Sequence, residues 1–204
     1  MKRGVGLLRV ISGSRKGHRL KSPKGLDTRP TQDRIKESLF NILGDIKEDS
    51  LVLDLFSGSG SVGIEFLSRG SKECYFIDNS LNSIKTIGYN LDATKLNEKS
   101  KVYKNDVFKA IQILGKKNMN FHYIFMDPPY RKNLILSVLE SICENNLLKN
   151  EGIIIIEHES ELILDTHIFA LNKVDERIYG DKTITFMNKT IRRLTNGGNI
   201  SRKL

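Results

Sequence analysis

The chain has 204 residues, 39% hydrophobic and 28% charged, which suits one sizeable domain with a substantial core. No run approaches 18 apolar residues, Arg9 interrupts the apolar stretch behind the basic start, and Cys74 and Cys143 stand far apart; a membrane span, a signal peptide, a disulfide framework and a cysteine metal site are therefore not expected, and the cytoplasm is the default compartment. Net charge is +9, and residues 1–36 carry all of the excess, with eleven Lys and Arg against Asp27 and Asp33, so a polyanion partner is expected, a solvated basic arm being the plainer reading.

The first stretch, LLRVISGSRKGHRL, reads as a β-hairpin around a Gly-Ser-Arg-Lys-Gly turn, and SPKGLDTRPTQ as a connecting loop. Thr31 is placed to cap a helix in which Ile35, Leu39, Ile42 and Leu43 recur at helical spacing. A regular alternation follows. Strands are predicted over 51–56, 74–78, 101–104, 121–127 and 152–159, and helices over 61–70, 80–96, 106–114 and 131–148. The end changes character: FALNKVDERIYG and DKTITFMNK read as two strands joined through Gly180, Asp181 and Lys182 with no helix between them. Repeated β-α units imply a doubly wound, mostly parallel sheet with an antiparallel closing hairpin. The organisation expected is a basic N-terminal extension and linker (1–30), an α/β domain (31–191) and a polar basic tail (192–204).

In such sheets ligands bind at the carboxyl ends of the strands, near the switch in strand order. After the first strand comes DLFSGSGSVG, whose Gly58, Gly60 and Gly63 satisfy G-x-G-x-x-G. That spacing alone also describes a dinucleotide site. Asp54, inside the strand, changes the reading: an anion there repels a pyrophosphate and attracts a sulfonium or α-ammonium group, which favours S-adenosylmethionine over NAD. A carboxylate capping the loop's own amides is the competing reading. Asp78 closes the next strand, where an acid accepts ribose hydroxyls, and it is equally suited to cap the helix beginning near Ser80. Asp106 is open to two readings, an acceptor for an adenine amino group with the Val107 amide beside it, or a plain helix cap. The histidines at 18, 122 and 158 form no recognisable set, and no metal is expected.

The run FHYIFMDPPY stops a buried strand at Asp127, Pro128, Pro129 and Tyr130. Two prolines remove two backbone donors and fix φ, so neither ladder nor helix continues there. As a tetrapeptide it could be a simple turn. Together, D-x-F-x-G-x-G at Asp54–Gly60, the acids Asp78 and Asp106, and D-P-P-Y resemble class I S-adenosylmethionine-dependent methyltransferases that act on exocyclic amino groups, a Rossmann-like fold. More narrowly, R-V-I-S-G…K-G-x-x-L at Arg9–Leu20, R-P-T at Arg29–Thr31, D-R-I-K-E at Asp33–Glu37 and I-Y-G-D-K-T at Ile178–Thr183 are similar to the bacterial 16S rRNA guanine-N2 methyltransferase family. The resemblance runs to about residue 190. It departs at Ser57 and Ser61, where small residues such as alanine are common, and at Tyr130, which is Phe in some relatives.

The resemblance implies a seven-stranded sheet, S-adenosylmethionine as cofactor, S-adenosylhomocysteine as product, and 16S rRNA in a small ribosomal subunit as substrate, acted on by a monomer. It implies cofactor contacts from Thr31, Asp54, Phe56, Gly58, Gly60, Asp78, Asn79, Asp106 and Val107. RNA contacts fall to Arg9, Arg15, Lys16, Arg19, Arg29 and Arg34. In the DPPY segment, Asp127 and the Pro128 carbonyl accept the two protons of an amino group, Pro129 helps fix them, and Tyr130 stacks on the base. A carboxylate matches the N1–H and N2–H of guanine, a slight lean, because the same motif serves adenine-N6 methyltransferases. An NAD-dependent oxidoreductase and a non-catalytic RNA-binding module are the remaining alternatives.

Overall fold

The computed structural model describes residues 8–23, 30–129 and 132–189, with the side chains of 30–32 and 132 excepted. Arg29, Tyr130 and the tail from 190 onward lie outside the described residues.

Eight strands form one sheet: β1 (Leu51–Leu55), β2 (Glu73–Asp78), β3 (Ser100–Lys104), β4 (Phe121–Met126), β5 (Leu148–Glu159), β6 (His167–Ile168), β7 (Leu171–Tyr179) and β8 (Lys182–Lys189). Their order is β3-β2-β1-β4-β5-β8-β7-β6. The first five pair in parallel, and β8, β7 and β6 close the sheet antiparallel. The chain builds outward from β1 to β3, then returns to start β4 on the other side of β1. That reversal puts the switch point between β1 and β4, and the Asp127-Pro128-Pro129 exit follows β4 directly.

Among the described residues five helices cover the two faces: α1 (Pro30–Leu43), α2 (Ser61–Ser68), α3 (Leu81–Thr94), α4 (Val107–Lys116) and α5 (Lys132–Glu144). One core cluster packs Ala110, Ile111 and Leu114 of α4 and Val138, Leu139 and Ile142 of α5 on Leu53, Ile124 and Ile154. The other packs Leu39 and Phe40 of α1, Ile64 of α2 and Ile87 of α3 on Val52, Phe125 and Ile155. Gly63 is needed for the closeness of α2 to β2, since a Cβ there would sit 2.3 Å from the Phe76 ring.

The N-terminal segment shares the second core through Leu8, Val10 and Leu20. It turns back on itself as expected, but with a single bridge, Arg9 to Arg19, and a 3-10 turn at Gly13–Arg15 instead of two full strands. Its backbone groups pair with helices. Ile11 N and Ser12 N donate to the Glu65 carboxylate at 2.8 and 2.9 Å, and Arg15 N donates to Ser68 Oγ at 2.9 Å. A Cβ at Gly13 would fall 1.9 Å from the Ser68 carbonyl oxygen, so only glycine fits that approach.

Three further expectations are corrected. Thr31 does not cap α1: the helix starts at Pro30, a residue whose missing N–H costs nothing in a first turn. The sheet has eight strands instead of seven, because His167–Ile168 pairs with Asn172 and Leu171 over a length too short to leave a period in the sequence. The fifth strand begins at Leu148 instead of 152, its polar Lys149–Glu151 stretch lying at a register shift against β4, and α5 stops at Glu144 before Asn146, whose φ is 50°.

Candidate active site

Alternation along the strands decides which side chains reach the carboxyl edge on the α1 face. Val52 and Phe125 point into the core on that face, so Asp54 and Asp127, each two residues further on, point the same way at the edge. Both line one cavity with Phe56, Ser57, Gly58 and Ser59 of the glycine loop, Lys36 of α1, and Leu8, Ser22 and Pro23 of the N-terminal segment. The segment is thus one wall of the cavity.

The loop itself is held in an unusual backbone path. Phe56 takes φ 58°, uncommon for a bulky side chain, as β1 ends. Ser57 then ties the loop to β2: its hydroxyl donates to the Asp54 carbonyl at 2.6 Å, and accepts from Ile77 N at 3.0 Å. Gly58 N donates to one Asp78 oxygen at 2.8 Å, and Ser80 N to the other at 2.8 Å. Asp78 therefore both caps its own turn and anchors the loop.

Asp54 is 1% exposed. Its Oδ2 accepts from Gly63 N at 3.1 Å, so the capping reading is met by one oxygen, while Oδ1 is buried with no hydrogen-bond partner among the described residues. Burial pushes its pKa up to about 8, with the charges of Asp78 and Asp127 adding and the Gly63 amide opposing. An orphaned acceptor on the wall of a cavity suits a cationic group, which would favour its ionised form. Asp127 is held above the ordinary carboxylate range, by loss of water first and by the Glu157 charge second, with Lys182 opposing. Its side chain is 43% exposed, at the cavity mouth, with Pro128 buried and Pro129 exposed beside it.

The other candidates lie apart from that cavity's lining. Asp106 takes the amides of Phe108 and Lys109 at 3.0 and 3.1 Å, which is the cap reading, with Val107 buried behind it. Asn79 is exposed at the end of β2. His122 accepts from Leu51 N at 2.9 Å, and His158 contacts Thr185 at 2.8 Å, structural partners in both cases. Among the described residues no cluster of three or more His, Cys, Asp or Glu could hold a metal, and no helix is long and apolar enough to cross a membrane. Lys16, Arg19 and Arg34 are exposed. Arg9 pairs with Asp33 at 3.2 Å, while the Arg15 guanidinium has a buried Nε.

Sequence reasoning missed Glu65, Asn90, Glu157 and Lys182. Glu157 and Lys182 meet Asp127 at the edge, Lys182 Nζ lying 3.1 Å from Glu157 and 3.8 Å from Asp127. Asn90, fully buried, donates to both the Lys21 and Ser59 carbonyls at 2.9 Å and accepts from Lys21 N at 2.8 Å. Two of them left a mark in the sequence, Asn90 as a polar residue on the apolar stripe Ile84–Ile87–Leu91 and Glu157 as an acid closing the run Ile153–Ile156, although neither mark names a partner.

Comparison with known proteins bears on this geometry. The family model for Conserved hypothetical protein 95 matches residues 8–188. The chain is 40% identical over 173 residues to a putative rRNA methyltransferase, YlbH, of Bacillus subtilis, covering 85% of this chain and 94% of that one. It is 33% identical over 163 residues to ribosomal RNA small subunit methyltransferase D of Escherichia coli, covering 80% of each. The chain belongs to that family. A solved structure, a putative methyltransferase yhhF from Escherichia coli, superposes with a TM-score of 0.78 at 30% identity, over 90% of this chain and 98% of that one. As a member, this protein is an S-adenosylmethionine-dependent methyltransferase with the class I fold, as its motifs implied. The glycine loop and Asp127 of the D-P-P exit, which carried the resemblance, line the cavity described above.

Proposed function

We propose that this methyltransferase modifies the exocyclic N2 of one guanine in small-subunit ribosomal RNA, in the cytoplasm, as a monomer acting on an assembling or assembled subunit. The observation that carries the reading is the shared cavity: Asp127 stands at a rigid proline exit, beside a loop whose Asp54 offers a buried, unpaired oxygen.

Asp54 would hold the cofactor's cationic end, the Phe56–Gly60 loop its middle, and Asp78 with Asn79 its ribose. Asp106 and Val107 remain the candidates for the adenine edge, with Thr31 closing from α1. When bound, S-adenosylmethionine supplies a methyl group on a sulfonium, which leaves as a neutral thioether. The residues of this chain do the rest. An amino nitrogen on a purine is a poor nucleophile because its lone pair is delocalised into the ring. Asp127 accepts one N2–H and the Pro128 carbonyl the other, which favours a pyramidal nitrogen and the charge it gains on attack. The N2 lone pair forms the new N–C bond, and the displaced N2 proton passes to the Asp127 carboxylate. Two prolines keep both acceptors still, and Tyr130 stacks on the base. Lys16, Arg19 and Arg34, with Arg9, Arg15 and Arg29, would neutralise phosphates of the RNA.

Methyl transfer from labelled S-adenosylmethionine to unmodified small subunits and to naked rRNA, followed by complete digestion to nucleosides, tests this reading. N2-methylguanosine is the expected product. N6-methyladenosine in its place would keep the fold and the role of Asp127 and overturn the guanine assignment.

A further inference from the structure

Glu157 has no part in the roles above, yet it stands next to Asp127. The last registered pair of β4 and β5 is Met126 with Ile156, so Asp127 and Glu157 follow at the same level. Both continue the face on which Phe125 and Ile155 pack, and Lys182 precedes Ile184 on that face of β8. In sheet order the edge therefore reads Asp54, Asp127, Glu157, Lys182.

The two carboxylates converge on one ammonium, Lys182 Nζ lying 3.1 Å from Glu157 Oε1 and 3.8 Å from Asp127 Oδ1. Both acids also line the cavity. Glu157 and Lys182 are 16% and 17% exposed, so this charge is largely withdrawn from water. Among the described residues two acids against that ammonium leave a surplus of acceptors at the cavity, a costly arrangement unless a ligand brings donors. Only an edge with two adjacent N–H donors pairs with two carboxylates side by side. Guanine presents N1–H next to its N2 amino group. Adenine and cytosine present a bare acceptor nitrogen next to theirs, and a carboxylate opposite it is repelled.

We infer that Glu157 is a specificity-determining residue whose carboxylate accepts the N1–H of the target guanine while Asp127 accepts from N2, with Lys182 a positioning residue that holds the two acids together. The inference rests on the guanine-N2 reading. A site built to pair with a donor rejects an analogue lacking it far more strongly than a merely apolar pocket does.

The test replaces the target guanosine by 2,6-diaminopurine riboside in reconstituted small subunits. This analogue keeps the N2 amino group but has an acceptor at N1. The wild-type enzyme is expected to favour guanosine by about 100-fold or more in kcat/KM. In Glu157→Gln an amide N–H faces N1, so activity on guanosine falls, activity on the analogue rises, and the preference narrows by about tenfold or more. Glu157→Asp, which keeps the carboxylate, retains the preference at a lower rate. Equal wild-type rates on the two bases would overturn the inference, as would a Glu157→Gln enzyme that loses the same factor on both. A wild-type enzyme that makes no N2-methylguanosine on unsubstituted subunits fails earlier, and removes the guanine reading along with the inference.

Discussion

Asp54 and Asp127 share a face and a cavity, and the roles proposed for them set them against different partners. In the proposed reaction Asp127 can take up the N2 proton only when ionised, and its pKa is raised, so the rate should fall as pH drops through that raised value rather than near an ordinary Asp. The pH profile of kcat checks this, and Asp127→Asn should lower kcat about 100- to 1000-fold with cofactor affinity within a few-fold. Near-normal turnover in that variant would remove Asp127 from the chemistry. Asp54 makes a separate prediction. Its folded pKa of about 8 lies above its unfolded value, so the folded chain holds a proton that the unfolded chain releases. The stability this contributes is complete below the unfolded value and is lost as pH rises through about 8. A bound cation favours the ionised carboxylate, so cofactor binding near pH 7 should release a proton and tighten with rising pH. Calorimetry in buffers of different ionisation enthalpy measures that proton, and Asp54→Asn should abolish it.

Between elements, the docking of the N-terminal segment carries the next prediction. Glu65 is fully buried and accepts from two segment amides, while Arg69 pairs with it at 2.9 Å and Lys36 at 3.4 Å. Lys36 Nζ in turn donates to the Arg9 carbonyl at 2.6 Å. Glu65→Gln strips the charge from this group and should cost about 3–5 kcal/mol in denaturant unfolding. Asn90→Ala should be milder, about 1–3 kcal/mol. Its signature is local: faster hydrogen exchange at the Lys21 amide and a weaker grip on the cofactor, because Asn90 also holds Ser59. Elements of this kind were unevenly legible in the sequence. The βα alternation and the closing hairpin stood out, since buried parallel strands are continuous apolar runs and their helices keep a strict period. The ends of β5 and the two residues of β6 did not, because register shifts and short pairings leave no period. Asp54, the glycine loop and Asp127 were visible as residues that break an apolar run where the fold needs none broken. Glu65 and Asn90 were hidden because the segment amides they receive belong to residues more than 50 positions away in the sequence.

For the molecule as a whole, part of the basic excess is exposed on the segment that walls the cavity. Lys16 and Arg19 are exposed on the same segment whose Leu8, Ser22 and Pro23 line it. Reversing the charges of Arg15, Lys16 and Arg19 should weaken RNA binding and flatten the dependence of log K on log salt by about 0.7–0.9 for each phosphate no longer neutralised. An unchanged slope would mean that this wall does not touch the RNA backbone.

The same docking fixes an order of events during synthesis. The segment is synthesised ahead of Glu65, Ser68 and Asn90, which receive it and are made 53 to 69 residues later. Until α2 and α3 are made the segment lacks the side chains that accept its amides, so its docking must wait for long-range pairings to become available. A wall of the cavity is thus made before the residues that hold it and docked only after them.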